Sequence, residues 1–327
     1  MHTLWVDKKS TRIDIESKHL LVYADTDQPP RNVPLSAINY VIVSANILIS
    51  SRCIATLAGE GIMVLVIPSR RGEPAIIAPV GTHGNAERRL QQYYRVIDED
   101  WCLSAAKQLV RFKVYSQYRA TRRLDKRYPE NRLIFRSAFT GFESLSGKAK
   151  SATSIEQLRG LEGAAAKIYF QVYQCCFGAS WNFTGRNRRP PKDPVNVMLS
   201  LTYTVICSLC EAELIAGGFD PGLGFYHQTS YGRPSLACDL TELFRAMGDR
   251  FVLSLVKSEE IRTVHFTQTE SGCTMGKAGR SHYYTALAAE IPAWRRLIRK
   301  TVVRWINTLP AQPQRQETAH ATLSDLL

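Results

Sequence analysis

The chain has 327 residues, of which 45% are hydrophobic and 22% charged, and its 42 Lys and Arg residues exceed its 29 Asp and Glu residues to give a net charge of +13. This composition is that of a globular protein with a sizeable core, long enough for roughly two domains. The apolar runs fall short of the ~18–20 residues that a membrane span needs, and the first residues lack the features of a signal peptide. We therefore expect no membrane partner and a polyanionic one.

Residues 1–78 are predicted to form a small β-rich domain. Short alternating or β-branched segments are separated by turn-like stretches, as is typical of strands. The predicted strands lie at 4–7, 12–16, 19–23, 40–43 and 62–67, with a helix at 51–59. Residues 79–85 are predicted to be a linker.

From residue 86 onward, apolar residues recur at spacings of three and four, which predicts a larger, mainly α-helical domain over 86–309. The predicted helices lie at 86–96, 101–124, 155–178, 195–216, 238–247 and 284–307. Residues 310–327 form a polar tail that we expect to be disordered. The predicted fold class is therefore α+β, with a small β-rich domain followed by a larger, mainly α-helical domain.

The eight cysteines are scattered through apolar surroundings, which predicts free thiols and a cytoplasmic location. Cys207 and Cys210 form a C-x-x-C pair that can indicate zinc. The pair lies in a predicted helix and has no second Cys/His pair at finger spacing, so helix packing is the favoured interpretation. A zinc-dependent module is kept as an alternative.

The positive charge is concentrated in residues 111–192, which hold 17 basic and 5 acidic side chains. Focused charge of one sign is what binding to a phosphate backbone requires, because each neutralised phosphate releases counterions. A solvated helix face is the alternative interpretation. Within this segment the predicted DNA contacts are Arg186, Arg188, Arg189 and Lys192.

Three segments of the helical domain offer candidate metal ligands. Glu162 is followed by Gly163 and three alanines that leave space around it, although a charge at a helix start is an alternative. His227 ends a glycine-rich loop, where an ordinary surface or packing histidine is the alternative. Asp239 and Glu242 are three residues apart on one helical face, where a cation or a basic neighbour would relieve their repulsion.

Together these side chains form a hard, oxygen-rich ligand set. One imidazole with two or three carboxylates suits Mg²⁺ or Mn²⁺ better than structural zinc. A divalent cation beside a basic groove is suited to phosphodiester chemistry. Whether the residues converge in space is left open by the sequence.

In this order, the segments resemble the CRISPR-adaptation integrase family, metal-dependent DNA endonucleases that insert spacers into CRISPR arrays. The resemblance covers most of the chain, from about Leu4 to Trp305. It rests on the stretches Leu57-Ala-Gly-Glu-Gly-Ile62, Arg88-Arg-Leu-Gln-Gln-Tyr93, Leu161-Glu162-Gly-Ala-Ala-Ala-Lys-Ile-Tyr169-Phe170, Arg189-Pro-Pro-Lys-Asp-Pro-Val-Asn196, Gly224-Phe-Tyr-His227 and Arg233-Pro-Ser-Leu-Ala-Cys-Asp239-Leu-Thr-Glu242-Leu-Phe-Arg245.

The resemblance implies a homodimer formed through the β domain and one metal site in the helical domain. It assigns Glu162, His227 and Glu242 as catalytic ligands, with Asp239 as an accessory acid; many relatives have aspartate where this chain has Glu242. Arg233 and Arg245 lie beside these ligands and are expected to contact the DNA phosphate. The implied partners are double-stranded DNA (prespacer and CRISPR repeat) and a small ferredoxin-like adaptation protein that bridges two dimers.

The predicted function is that of a metal-dependent DNA endonuclease and integrase. A 3′-hydroxyl attacks a phosphodiester and a new phosphodiester forms without ATP, whereas water as nucleophile hydrolyses DNA. The alternative is a non-catalytic architectural DNA-binding subunit, whose acids serve as helix caps and ion pairs.

Overall fold

The computed structural model describes residues 2–24, 28–67, 75–77, 86–187, 190–270 and 272–308. The fold is α+β, with a β-rich N-terminal region followed by a mostly helical region, and this confirms the predicted fold class. The predicted linker 79–85, the tail 310–327, Arg188 and Arg189 lie outside the described residues.

The N-terminal region contains two four-stranded sheets and one helix. The first sheet has the order β1-β5-β7-β8, in which β1, β5 and β7 are parallel and β8 is antiparallel. The second sheet has the order β4-β3-β2-β6. These elements are β1 (His2–Val6), β2 (Arg12–Glu16), β3 (His19–Tyr23), β4 (Arg31–Pro34), β5 (Ile38–Val43), β6 (Leu48–Ile49), α1 (Ser51–Gly59), β7 (Met63–Val66) and β8 (Ala75–Ile77).

Eight further helices and a β-hairpin are described after residue 85. They are α2 (Ala86–Val96), α3 (Glu99–Asp125), α4 (Arg132–Ser151), α5 (Ile155–Gln174), α6 (Pro194–Ala216), α7 (Ser235–Glu242), α8 (Arg245–Lys257), β9 (Phe266–Thr269), β10 (Gly272–Met275) and α9 (Lys277–Thr308). The apolar spacing predicted most of these helices but missed α4.

The single helix predicted over 238–247 is wrong, because the chain turns between α7 and α8. The N–H groups of Leu243 and Phe244 bond to carbonyls three residues back, at Leu240 and Thr241. This tighter turn ends α7 and redirects the chain into α8. As a result, Glu242 ends one helix and Arg245 begins the next.

Among the described residues, α6 is long and apolar enough to cross a membrane, so the expectation that no apolar run reaches this length is wrong. However, 72% of the apolar window is buried inside the protein. The core helix of a globular protein passes the same test, and α6 packs against α7, α8 and α9.

The core joins the first sheet to the helical region. Tyr40, Ile42, Met63 and Leu65, on β5 and β7, are buried in the same hydrophobic cluster as the helices. A separate cluster fills the N-terminal region, where alternate strand residues such as Val41 face the other way. The first sheet therefore shares its core with the helical region, and its strand β1 packs against α9.

Candidate active site

Three helices bring acidic and basic side chains to one position. Glu162 lies within α5, and Glu242 is the last residue of α7. Lys113 of α3 donates hydrogen bonds from Nζ to Oε1 of Glu162 and to Oε2 of Glu242. Two carboxylates that are far apart in the sequence therefore meet on one positive charge.

Glu162 does not lie at a helix start. Helix α5 begins at Ile155, where Ser154 caps it by accepting a hydrogen bond from the backbone N–H of Gln157 at 3.2 Å. Glu162 lies two turns further on, so interpreting it as a favourable terminal charge is wrong. Its Oε2 accepts a 2.6 Å hydrogen bond from the hydroxyl of Tyr226, which fixes the carboxylate between a phenol and an amine.

Arg245 holds Glu242 from a second side. Its Nε donates to Oε2 and its Nη2 to Oε1, both at 2.8 Å. Burial raises the pKa of Glu242, but the charges of Arg245 and Lys113 outweigh burial and hold the pKa well below its usual range. Glu242 is therefore ionised at neutral pH. Lys113 and Arg245 are the basic neighbours expected from the sequence beside Asp239 and Glu242.

Asp239 organises the loop that precedes α7. The residue is completely buried, and its two oxygens accept hydrogen bonds from the backbone N–H groups of Phe225, Tyr226 and His227 at 2.8–3.1 Å. At Gly224, a Cβ atom would come within 2.8 Å of Oδ2 of Asp239, so the loop passes too close for any other residue.

The same carboxylate orients His227. Nδ1 of His227 lies 2.6 Å from Oδ1 of Asp239. A carboxylate on one ring nitrogen fixes the orientation of an imidazole and leaves Nε2 for a ligand, as in many metal-binding histidines. With this contact Asp239 has four hydrogen-bonding partners, which favours a positioning role for it over direct ligation.

The structure brings Glu162 and Glu242 together, whereas His227 is paired with Asp239. No group of three His, Cys, Asp or Glu side chains in the described parts of the chain is arranged to hold a metal ion. The three-residue ligand set of Glu162, His227 and Glu242 therefore stays a prediction.

The donor groups nevertheless fit a hard divalent cation. Two carboxylates that converge on one amine already bind a positive charge, and carboxylate oxygens are the ligands that Mg²⁺ and Mn²⁺ prefer. His227 adds an oriented imidazole in the segment that also contributes Tyr226. Binding of a cation by both carboxylates requires that Lys113 give up its contacts.

The residues predicted to bind DNA differ in their surroundings. Arg186 donates to Oδ1 of Asn196 at 2.8 Å and to Oγ of Ser200 at 3.0 Å, so part of its donor capacity is used within the fold. Lys192 and Arg233 are exposed, and Arg245 is committed to Glu242.

Two cavities lie in this region, and Tyr169 lines both of them. A small one of about 160 Å³ adjoins the site and is lined by Lys113, Gln117, Glu162, Arg186 and Arg245, among others. A groove of about 1330 Å³ does not include either glutamate and combines aromatic side chains with a basic rim. Its aromatic residues include Trp101, Phe112, Phe225 and Trp305, and its rim includes Arg119, Arg123, Lys126 and Arg127.

Sequence reasoning missed Lys113 and Tyr226. Lys113 stands in a basic block, which resembles a surface segment, yet it is only 5% exposed. A signal was present: Leu109, Lys113, Gln117 and Thr121 recur every four residues and lie on the buried stripe of α3. Polar residues on such a stripe indicate partners inside the fold.

The sequence is similar to those of known proteins over most of its length. The sequence model of the family described as "CRISPR associated protein Cas1" matches residues 4–289. The "CRISPR-associated endonuclease Cas1 1" of Thermodesulfovibrio yellowstonii is 35% identical over 291 residues, which covers 87% of this chain and 89% of that protein.

Two solved structures are similar to the fold. A casposase bound to its integration product superposes with a TM-score of 0.79 at 21% identity, covering 94% of this chain and 90% of the casposase chain. A Cas6-RT-Cas1–Cas2 complex contains a chain that superposes with a TM-score of 0.78 at 22% identity, covering 94% of this chain and 34% of that one. At these identities the likeness shows the fold alone.

Proposed function

Because this chain belongs to the CRISPR-associated Cas1 family, we propose that it is a metal-dependent DNA endonuclease and integrase that inserts DNA into a CRISPR array. The observation that carries the proposal is the convergence of Glu162 and Glu242 on a single positive charge beside an open cavity. The names of the curated relative and of the casposase support the same chemistry.

The residues that would hold the metal are Glu162, Glu242 and His227, and the ion would be Mg²⁺ or Mn²⁺. When bound, such an ion polarises the phosphoryl oxygen and favours deprotonation of the attacking hydroxyl. The remaining chemistry concerns groups of the chain itself. Tyr226 holds Glu162, and Asp239 orients His227.

In the proposed reaction, the oxygen of a DNA 3′-hydroxyl bonds to a target phosphorus and loses its proton. The bond from that phosphorus to the 3′-oxygen of the preceding target nucleotide breaks, and this leaving oxygen takes up a proton. One phosphodiester replaces another, so no ATP is needed. Arg245 lines the small cavity and holds Glu242 through Nε and Nη2, and we assign the N–H groups of its Nη1 to the negative charge that develops on the phosphate.

We propose double-stranded DNA, both prespacer and repeat, as the substrate, bound through the basic residues of α3 and through Arg186, Lys192 and Arg233. The support is their charge, since most basic side chains of α3 are exposed. The casposase named as bound to an integration product supports the same class of ligand.

We also propose a homodimer and a small Cas2-type partner that bridges two dimers. The support for the partner is the likeness to the Cas1 part of a complex that contains Cas2. A cytoplasmic location is proposed because all eight cysteines are free thiols.

A strand-transfer assay tests the proposal. Labelled duplex with 3′-hydroxyl ends is incubated with supercoiled plasmid and Mn²⁺, and the joined product is quantified. We expect Glu162→Gln to abolish joining and EDTA to do the same, whereas Glu156→Gln, an exposed change on the same helix, leaves it intact. Joining that survives Glu162→Gln overturns the proposed site.

The alternative, an architectural DNA-binding subunit, has one observation in its favour: Lys113 and Arg245 neutralise the glutamates as structural ion pairs would. This alternative predicts DNA binding with no metal-dependent joining under any condition of the assay.

A further inference from the structure

The burial of Lys113 is unusual for its helix. Arg111, Arg119, Arg122 and Arg123 of α3 are exposed, whereas Lys113 is 5% exposed and reaches both glutamates. A buried ammonium group is tolerated only when it is paired, because leaving water costs several kcal/mol. Lys113 is therefore held in place by the pair of carboxylates, and it in turn holds them together.

The same carboxylate oxygens are the ones a divalent cation needs. Oε1 of Glu162 and Oε2 of Glu242 both accept from Nζ of Lys113. An ammonium group and a divalent ion on the same oxygens would repel each other strongly in a buried position. Occupation by the metal and the present contacts of Lys113 are therefore mutually exclusive.

A receiving group for the displaced amine lies on the same helix. Gln117 follows Lys113 by four residues, so the two side chains are neighbours on one face of α3. Gln117 is 5% exposed, lines the small cavity, and its Oε1 has no hydrogen-bond partner among the described residues. A buried carbonyl oxygen without a donor is costly, and an ammonium group would supply that donor.

From these contacts we propose that Lys113 is a built-in cation that holds the catalytic carboxylates together before metal binding and withdraws to Gln117 when the metal binds. The proposal rests on the proposed function, since it takes Glu162 and Glu242 to be metal ligands. Lys113 is thus a positioning residue that competes with the metal.

The test measures Mn²⁺ affinity by isothermal titration calorimetry and metal-free thermal stability by circular dichroism. We expect Lys113→Met to bind Mn²⁺ at least about tenfold more tightly than the unmodified chain, because the competing charge is gone. The same variant melts at a lower temperature without metal and recovers when Mn²⁺ is added. Lys167→Met, an exposed change of equal charge on α5, leaves both readouts unchanged.

A second variant keeps the test decisive if Lys113→Met does not fold. Gln117→Met removes the receiving carbonyl and is expected to weaken Mn²⁺ binding by about two- to tenfold. Unchanged or tighter Mn²⁺ binding in Gln117→Met overturns the inference whether or not Lys113→Met folds. Where Lys113→Met does fold, the effect of Gln117→Met is expected to disappear in the double variant, because no amine remains to be received. A residue with only a packing role would not produce gains and losses of opposite sign.

The outcomes separate this inference from the proposed function. Equal or weaker Mn²⁺ affinity in Lys113→Met overturns the inference, and so does Mn²⁺ binding that Glu162→Gln leaves unchanged. If Glu162→Gln still abolishes strand transfer in the first case, the proposed function stands while the role of Lys113 falls. Strand transfer that survives Glu162→Gln overturns the proposed function.

Discussion

Helix α3 carries basic residues in two contrasting settings. Near its middle, Lys113 is buried and paired with two glutamates. Nearer its end, Arg119, Arg123 and the adjoining Lys126 are exposed on the rim of the large groove. The buried charge is shielded from salt and fixed in position, whereas the exposed charges are screened within about 8–10 Å at physiological salt. One helix thus contributes a fixed charge to the candidate site and a set of exposed, salt-screened charges to the rim of the groove.

The largest effect is expected at the buried ion pairs of Lys113. Glu242→Gln removes the anion shared by Lys113 and Arg245 and leaves two poorly compensated cations. We expect strand transfer to fall by more than about 100-fold and stability by about 3–5 kcal/mol. Rates from the joining assay and urea unfolding curves measure the two effects. Glu143→Gln, an exposed change on α4, is the control. Retained joining in Glu242→Gln would contradict the proposed metal site, whereas unchanged stability would contradict the paired-charge interpretation.

A smaller loss of strand-transfer activity is expected at Asp239, which contacts His227 rather than Glu162 or Glu242. Asp239→Asn weakens the contact that orients His227 and replaces one oxygen of the acceptor that organises the loop. Loss of such an orienting partner lowers activity by about 10–100-fold. DNA affinity, measured by fluorescence anisotropy, is expected to stay unchanged. Reduced joining that follows reduced DNA binding would assign Asp239 to the interface instead.

The exposed end of α3 is expected to respond to salt. Replacing Arg119, Arg123 and Lys126 by Gln should lower DNA affinity by about tenfold and make the log–log salt slope shallower by up to about 0.9 for each phosphate that is no longer neutralised. Joining at saturating DNA is retained, because the glutamates are untouched. The matched control replaces exposed Lys9, Lys18 and Arg52 of the N-terminal region. An equal loss of affinity in the control would show that net charge, rather than α3, decides binding.

The smallest effect concerns a second buried carboxylate. Asp249, completely within the core, accepts a hydrogen bond from Tyr203, and burial raises the pKa of Asp249 from 3.8 to about 6. Between these values the folded state holds a proton that the unfolded state has lost, so stability falls as pH rises from about 4 to 6. The thermal midpoint is therefore expected to fall between pH 4 and pH 6, and in Asp249→Asn this fall should be smaller by a few degrees. An unchanged pH profile would show that Asp249 is ionised throughout, as Glu242 is.

The sequence singled out Glu162 and Glu242, which the structure brings together on Lys113, but not the partners that hold them. Their assignment as metal ligands came from the family resemblance and stays a prediction. Lys113 was hidden because a basic residue in a basic block gives no sign of burial until the helical stripe from Leu109 to Leu124 is followed. The role of Tyr226 was missed because a loop sets the position of its hydroxyl, and the geometry of a loop does not follow from periodicity.

The fold class and many element bounds followed from local pattern. The strands β2 and β3 and the helices α1 and α2 were predicted at their observed bounds, because alternation and amphipathic spacing are local properties. The break between α7 and α8 was missed, since no Gly or Pro marks it. Leu243 and Phe244 are ordinary helical residues whose turn is imposed by packing against the core.

The hydrophobic core that the first sheet shares with the helices has a consequence for the cooperativity of unfolding. Arg295 of α9 lies over the ring of Tyr40 on β5, with its guanidinium carbon 3.9 Å from the ring centroid, and also pairs with the buried Glu213 of α6. Strand, helix bundle and ion pair thus depend on one another. We expect a single calorimetric peak on heating rather than two, so that damage to the amino-terminal strands reaches Glu162 and Glu242 as loss of the whole fold.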